Sequence, residues 1–315
     1  MVMAQSLFKL LKIREPDRTL DVLAPAWSLP IVARMPEIRY GIDSETGHGE
    51  IGLAKRRRIA KRLRDADYER AIILPRSFKS ALVPWFAGIP VRTGYRGESR
   101  YLLVNDVRAF DQNVLNQTVK RFAALGLRTH ESLADIPQPS LQVSEERQQQ
   151  LLTDLSLNIE RPIVAMMPGA EYGPAKCWPL EYFAELASML DRSGHAVWVM
   201  GSDNDVQAGD EITNHGHGRN LCGKTSLADV IDLLALCKQA VSNDSGLMHM
   251  AAAVGIHVHA IYGSSSPFFT PPLTDDHDIH YLNLDCSPCF ERECPLQHLR
   301  CLKEISPASV LANIR

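Results

Sequence analysis

Residues 241–253 gather the most chemistry in the chain: a short apolar strand, the polar turn Ser242-Asn243-Asp244-Ser245-Gly246, and a helix of small residues. Asn243, Asp244 and Ser245 can each cap that helix, and Gly246 lets a ligand approach the backbone. Free amides at a helix start, reinforced by the helix dipole, attract anions. A capped helix without a ligand would carry the same residues, so this turn alone decides nothing. A second turn upstream, Pro168-Gly169-Ala170-Glu171-Tyr172-Gly173-Pro174-Ala175-Lys176, follows an apolar strand and leads through Pro179 into the next helix. Pro179 suits the first helical position, where its missing N–H costs nothing. Lys176 is thereby delivered near a helix start, as a mobile point charge suited to phosphate, although most lysines are merely solvated surface. Two anion-competent turns in one half of one chain favour a diphosphate ligand, such as a nucleotide.

Positive charge concentrates in the other half. Residues 55–100 hold 13 Lys and Arg against 4 Asp and Glu, an excess large enough to mark a surface. The run Lys55-Arg56-Arg57-Arg58 with Lys61, Arg62 and Arg64 sits on a helical pattern and reads as a solvated face. Arg76, Lys79, Arg92, Arg96 and Arg100 differ, because they fall at turns beside strand ends, where they suit a phosphorylated or carboxylated acceptor. No helix-turn-helix, zinc-finger or RNA-binding signature accompanies them, so nucleic acid is not expected as a partner.

Cys286, Cys289, Cys294 and Cys301 form a C-x2-C-x4-C-x6-C series near the end of the sequence. Four clustered thiols can bind zinc, but the spacing misses the paired zinc pattern, and free thiols in a surface loop are the default reading. Disulfides are not expected in a reducing compartment.

Stepping of apolar and polar residues supplies the elements that must hold these groups. Strands are expected over 19–23, 71–74 and 91–94 in the first half, with helices over 1–12, 53–64, 77–86 and 113–125. In the second half strands fit 163–166, 196–201, 220–222, 240–243 and 257–262, and helices fit 180–191, 203–213, 226–237 and 246–254. Alternation of β and α implies parallel sheets covered on both faces, wound right-handed. The expected fold is α/β, two Rossmann-like domains facing across a cleft. The first spans 1–142, and the second spans 143–315 with a C-terminal segment; residues 131–141, with Pro137 and Pro139, read as the linker. Nothing precedes the helix at Met1, so the first sheet is expected to lack its central strand.

A chain of 315 residues with 45% apolar and 23% charged residues suits two ordinary globular domains. The net charge of -3 excludes a globally basic nucleic-acid binder. No signal-peptide pattern and no apolar run of about 20 residues is present. A cytoplasmic protein is expected, with any membrane contact peripheral.

With those motifs in hand, the chain resembles the ADP-heptose:lipopolysaccharide heptosyltransferases, and among them the type II enzymes. The resemblance spans nearly the whole sequence. It rests on Asp21-Val22-Leu23-Ala24-Pro25-Ala26-Trp27, Phe78-Lys79-Ser80-Ala81-Leu82-Val83-Pro84, the turn from Pro168 to Pro179, and the turn from Ser242 to His249. It implies the two-domain GT-B glycosyltransferase architecture, with a nucleotide-sugar domain that follows an acceptor domain. The implied reaction is inverting transfer of L-glycero-D-manno-heptose from ADP-heptose to the first heptose of the lipopolysaccharide inner core. No metal or other cofactor is implied. The partners are ADP-heptose and a phosphorylated core acceptor at the inner face of the inner membrane.

By position, the resemblance gives Lys176 and Asp244 the catalytic places: Lys176 neutralises the leaving diphosphate and Asp244 binds heptose hydroxyls. Gly169, Ala170, Ser245 and Gly246 complete the donor site. His249 is as well read as a core residue as a ligand. The turn Gly201-Ser202-Asp203-Asn204-Asp205 borders the ribose, with the contacting carboxylate left open, and Thr225 and Ser226 line the adenine pocket. Arg76, Lys79, Arg92, Arg96 and Arg100 are the acceptor-binding set. Relatives begin with a strand and a Gly-Asp turn whose aspartate is the candidate general base. The sequence has no residue there, so the base is unassigned and little transfer is expected of this chain unless an upstream segment is added. The alternatives are another heptosyltransferase, a sugar-nucleotide epimerase, or a nucleotide-binding paralogue without turnover. A dehydrogenase is disfavoured, since no G-x-G-x-x-G follows a strand.

Overall fold

A computed structural model describes the chain except for His48, Gly49, Thr129, His130, Ala134, His215 and Arg315. Its residues form two compact units, Met3–Pro137 and Gln138–Arg315. The division falls inside the stretch that the sequence marks as a linker, of which Ala134 lies outside the described residues.

The first unit contains strands β1 (Asp21–Ala24), β2 (Tyr40–Asp43), β3 (Arg70–Ile73), β4 (Val91–Tyr95) and β5 (Asp106–Arg108). All pair in parallel, but among the described residues they make two sheets, β1-β2 and β3-β4-β5. Its helices are α1 (Gln5–Arg14), α2 (Leu29–Val32), α3 (Leu53–Arg64), α4 (Leu82–Phe86) and α5 (Thr118–Ala124). The helix expected over 113–125 begins five residues later than its apolar spacing suggests. Asp111 Oδ1 accepts from the Asn113 amide, and this Asx turn holds the preceding stretch out of helix. Apolar side chains of α3 and α4 build one small core around Ile59, Val83 and Ile89, and Leu10 of α1 joins Ala123 and Leu127 in another.

The second unit holds a six-stranded, wholly parallel sheet: β6 (Ile163–Met167), β7 (Ala196–Val199), β8 (Arg219–Asn220), β9 (Gln239–Asn243), β10 (His257–Ile261) and β11 (His277–His280). The spatial order is β11-β10-β9-β6-β7-β8. The central strands β6 and β9 are buried at every position, as both faces are covered. The helices are α6 (Glu145–Asp154), α7 (Leu180–Arg192), α8 (Val206–Thr213), α9 (Leu227–Leu234), α10 (Gly246–Ala253), α11 (Arg300–Lys303) and α12 (Pro307–Leu311). Successive strand residues point to opposite faces, so Val164 and Met166 of β6 join Phe183, Leu186 and Leu190 of α7, Leu302 of α11 and Val310 of α12 in one core. Helix α9 packs against α6 and α10, and Arg147 of α6 donates to Asp229 of α9 at 2.8 Å. Serine caps start four helices: the hydroxyls of Ser144, Ser226, Ser245 and Ser306 each accept from an amide three residues on.

Candidate active site

Strand order fixes where a ligand can sit. The chain leaves β6 toward β7 on one side, then returns to place β9 on the other. Met167 pairs with Ser242 at the carboxyl ends of these neighbours. The connections leaving β6 and β9 therefore diverge, and a crevice opens between them at the switch point. Both anion-competent turns of the sequence leave the sheet there, side by side.

Asn243 joins the two turns. Its Oδ1 accepts from the Trp178 amide at 2.9 Å, and its Nδ2 donates to the Pro168 carbonyl at 2.6 Å. The residue is fully buried, so both bonds form away from water. Trp178 is itself buried, with its indole N–H on the Ile305 carbonyl at 2.9 Å and its ring edge-on to Phe183. Gly173 has φ +150, and a Cβ there would stand 2.6 Å from the Arg292 carbonyl oxygen, so only glycine lets the 168–176 turn pass under that segment.

Lys176 and Asp244 meet above this clamp. Lys176 Nζ lies 2.5 Å from Asp244 Oδ2, with the side chains 18% and 5% exposed. The Thr270 hydroxyl lies 3.3 Å and 3.4 Å from the two oxygens of the same carboxylate. The ammonium also stands 5.2 Å from the centre of the Tyr172 ring, and the Arg292 guanidinium stacks on that ring too. An almost buried carboxylate thus holds a lysine at the mouth of the crevice, where a diphosphate would compete for it. Ser245 caps α10, its hydroxyl accepting from the Met248 amide at 3.4 Å, and Gly246 is exposed at the helix start. The first amides of α10 have no acceptor within the helix and point toward the crevice end of β9.

His249 lies one turn along α10 and is buried. Burial pushes its pKa down, against the pull of the Asp244 carboxylate, so the ring is neutral near pH 7. Its Nδ1 has no hydrogen-bond partner among the described residues. Tyr262, at the end of β10, is likewise held protonated by burial and donates to the Thr270 carbonyl at 2.7 Å, which steadies the residue touching Asp244.

The neighbouring turns continue along the same edge of the sheet. Gly169 lies against Asp205: a Cβ at Gly169 would come within 2.4 Å of Asp205 Oδ1. Asp205 is pinned in turn by the Ser202 amide and hydroxyl, both at 2.8 Å. The Asp205 carboxylate therefore reaches the β6 turn. Ala170 follows Gly169, half-buried. Ser226 caps α9 in a reciprocal box: its hydroxyl and its amide both donate to the Asp229 carboxylate, and its carbonyl accepts from the Val230 amide, so its polar groups are engaged within the helix start. Thr225 Oγ1 is buried without a partner among the described residues. The Gly223 amide donates to the Gly201 carbonyl at 3.2 Å, which ties the 225–226 turn to its neighbour.

In the first unit the basic residues separate into two kinds. Arg76 and Arg96 are exposed; Arg76 lies over Phe110 and Arg96 over Tyr101. Lys79 is half-buried on the 3-10 turn after β3. Arg92 and Arg100 correct the expectation of free cations. Arg100 is buried, and its guanidinium donates to the carbonyls of Pro75 at 2.7 Å and Tyr95 at 2.6 Å. Arg92 spends its guanidinium on the carbonyls of Leu103 at 2.7 Å and Ile89 at 2.5 Å, near the start of β4. Both are structural braces, because buried carbonyls beside them need donors.

Cys286, Cys289, Cys294 and Cys301 line one small cavity with Ala175, Ser264 and His298, behind the Lys176 turn. All are free thiols. Burial pushes the Cys301 thiol up to about 11, whereas backbone amides of residues 296–299 lower that of Cys294. Residues that the sequence reading passed over are Thr270, Tyr172 and Arg292. No local pattern marks the first: Thr270 reaches Asp244 because the chain after β10 returns to the sheet edge that carries the two turns.

Residues 56–300 match glycosyltransferase family 9 (heptosyltransferase). The chain belongs to this family. It is 46% identical over 286 residues to lipopolysaccharide heptosyltransferase 2 of Salmonella typhimurium, covering 87% of this chain and 82% of the relative. It is 47% identical over 289 residues to the protein of the same name from Escherichia coli, with the same coverage. The solved structure of E. coli ADP-heptose lps heptosyltransferase II superposes with a TM-score of 0.88 at 41% identity, covering 99% of this chain and 93% of that one. E. coli heptosyltransferase WaaC with ADP shares the fold at a TM-score of 0.70 and 19% identity, covering 100% of this chain and 96% of that one. The two Rossmann-like units are accordingly those of a GT-B heptosyltransferase, and the protein is a glycosyltransferase.

Proposed function

We infer that the chain moves L-glycero-D-manno-heptose from ADP-heptose to the first heptose of the lipopolysaccharide inner core, with inversion at the anomeric carbon. The observation that carries this reading is the Lys176–Asp244 pair at the β6/β9 switch point, 2.5 Å apart and almost enclosed. ADP-heptose brings two phosphates to this crevice. Lys176 turns from Asp244 to the diphosphate, and the first amides of α10, from Ser245 and Gly246, bind it from below. Asp244, released from the lysine but still touched by Thr270, accepts hydrogen bonds from heptose hydroxyls. As the acceptor hydroxyl oxygen bonds to the anomeric carbon from the opposite face and yields its proton to a general base, the bond from that carbon to the phosphate oxygen breaks and ADP departs with added negative charge. Lys176 and the helix terminus meet that charge where it develops, in a site already organised by Asn243. Gly169 and Ala170 border the phosphates, Asp205 the ribose side, and Thr225 and Ser226 the adenine.

Arg76, Lys79 and Arg96 supply the cationic surface for a phosphorylated core acceptor. Phe78, Tyr101 and Leu102 are exposed beside them, an apolar and basic combination that suits peripheral contact with the anionic inner leaflet. Among the described residues no helix is long and apolar enough to cross a membrane.

The test is a transfer assay with ADP-heptose and an acceptor bearing one heptose. Transfer of a second heptose with stoichiometric ADP release is expected from this chain or from one extended upstream. Transfer only to a heptose-free or two-heptose acceptor would assign a different member of the family. ADP binding without turnover would favour the non-catalytic paralogue.

A further inference from the structure

We propose that the second unit carries a binding site for a divalent transition-metal ion of the zinc class, formed by His257 Nε2, His259 Nδ1 and Asp278 Oδ2. His257 and His259 lie two residues apart on β10 and so share a face; Asp278 stands beside His259 on β11 in register. Ligating atoms of the three residues lie within 4.8 Å of one another, which the four cysteines do not achieve. Asp278 Oδ2 is 3.0 Å from His257 Nε2 and 3.6 Å from His259 Nδ1. Two ligands held about 2.1 Å from a tetrahedral zinc stand about 3.4 Å apart, and these separations bracket that value.

The second observation is an orphaned lone pair. His259 is fully buried, and its Nε2 stands 2.7 Å from Gln239 Oε1, so that nitrogen carries the proton. The other nitrogen of this ring is Nδ1, which is also buried. That nitrogen has no hydrogen-bond partner among the described residues, yet it points toward a carboxylate oxygen. Two acceptors thus face each other, the nitrogen fully buried and the carboxylate at the surface, and a cation between them removes their repulsion. The outer contacts also match a metal site. His257 Nδ1 meets Asp276 Oδ1 at 2.6 Å, the carboxylate–histidine arrangement that orients a metal-bound imidazole, and Gln239 does the same for His259. Asp276 and Asp278 together balance a doubly charged ion. Asp278 is open to solvent, which leaves the fourth position to water.

The site lies at the amino-terminal half of β10, away from the carboxyl-end turns that hold Lys176 and Asp244. Its work is to fasten the edge strand β11 to β10. The test is zinc titration of chelator-treated full-length protein, read by calorimetry and by thermal unfolding, on the parent and on Asp278→Asn, His257→Gln and Cys289→Ser variants. Zinc at a hundredfold excess over its Kd should raise the parent's unfolding midpoint by about 5–10 °C. Asp278→Asn, an exposed and isosteric change, should lose one zinc equivalent and the midpoint shift, as should His257→Gln; Cys289→Ser should keep both. Equal zinc uptake by Asp278→Asn, His257→Gln and parent, or a parent whose midpoint zinc leaves unmoved, overturns the proposal.

Discussion

Exchanging the two members of the Lys176–Asp244 pair one at a time should move ADP affinity in opposite directions. Lys176→Met keeps most of the apolar stem and removes the charge. A charge-assisted hydrogen bond to a phosphate contributes about 1.5–3 kcal/mol, so ADP should bind roughly 10- to 150-fold more weakly. Asp244→Asn removes a negative charge that sits 2.5 Å from Lys176 and competes with the diphosphate for it. At an effective dielectric of 20, two like charges about 4 Å apart repel by about 4 kcal/mol, and solvent in the open crevice reduces that considerably. Asp244→Asn should therefore bind ADP as tightly as the parent or up to about tenfold more tightly, while heptose transfer falls because the sugar contact is weakened. Calorimetric titration with ADP, held well below each variant's unfolding midpoint, separates the two effects. The temperature control matters, because Lys176→Met leaves Asp244 almost enclosed with Thr270 as its nearest hydroxyl. If Lys176→Met binds ADP like the parent, or Asp244→Asn weakens binding as much as the lysine change does, the diphosphate does not engage this lysine.

Other perturbations follow from the same geometry. Asn243→Ala strips a buried donor from Pro168 and an acceptor from Trp178, and chemical denaturation should show a loss of about 2–5 kcal/mol. Gly169→Ala drives a Cβ to within 2.4 Å of the pinned Asp205 carboxylate, and should cost about 1–3 kcal/mol together with ADP affinity; an unchanged midpoint would contradict that packing. Arg100→Ala should destabilise the protein while Arg76→Ala and Arg96→Ala leave the melting midpoint alone and raise the KM for acceptor, which steady-state kinetics reads directly. His249 has a folded pKa below its ordinary 6.5 because it is buried, so the unfolded chain takes up its proton first as the pH falls. Its contribution is complete above pH 6.5 and declines below it by at most about 1.4 kcal/mol per pH unit. Denaturation at pH 7, 6 and 5 should show an acid-side slope that His249→Gln reduces.

Much of the second unit is legible in the sequence because its strands are buried on both faces and its turns carry Gly, Pro and capping residues. The patterns at 163–166 and 240–243 fall on β6 and β9, and the two polar turns after them become neighbours through strand order alone. Periodicity is silent where elements are short and half-exposed. Strand β2 (Tyr40–Asp43) is mostly solvent-facing, β5 has three residues, and β11 reads as His-Asp-Ile-His, a polar string that only its pairing with β10 makes a strand. Side-chain roles are less visible than backbone roles. Asn243 looks like a helix cap but bridges two turns, and Ser245 takes the cap instead. Arg92 and Arg100 carry the same charge as Arg76 and Arg96, and nothing local says that their guanidiniums are consumed by carbonyls up to 25 residues away. Thr270 reaches Asp244 only through a fold-level return of the chain after β10.

A crystal of the protein soaked with ADP measures the donor site most directly. The diphosphate is predicted between Lys176 Nζ and the first amides of α10, with the ammonium turned away from Asp244. A nucleotide bound elsewhere on the sheet, with the Lys176–Asp244 pair still closed, would contradict the assignment.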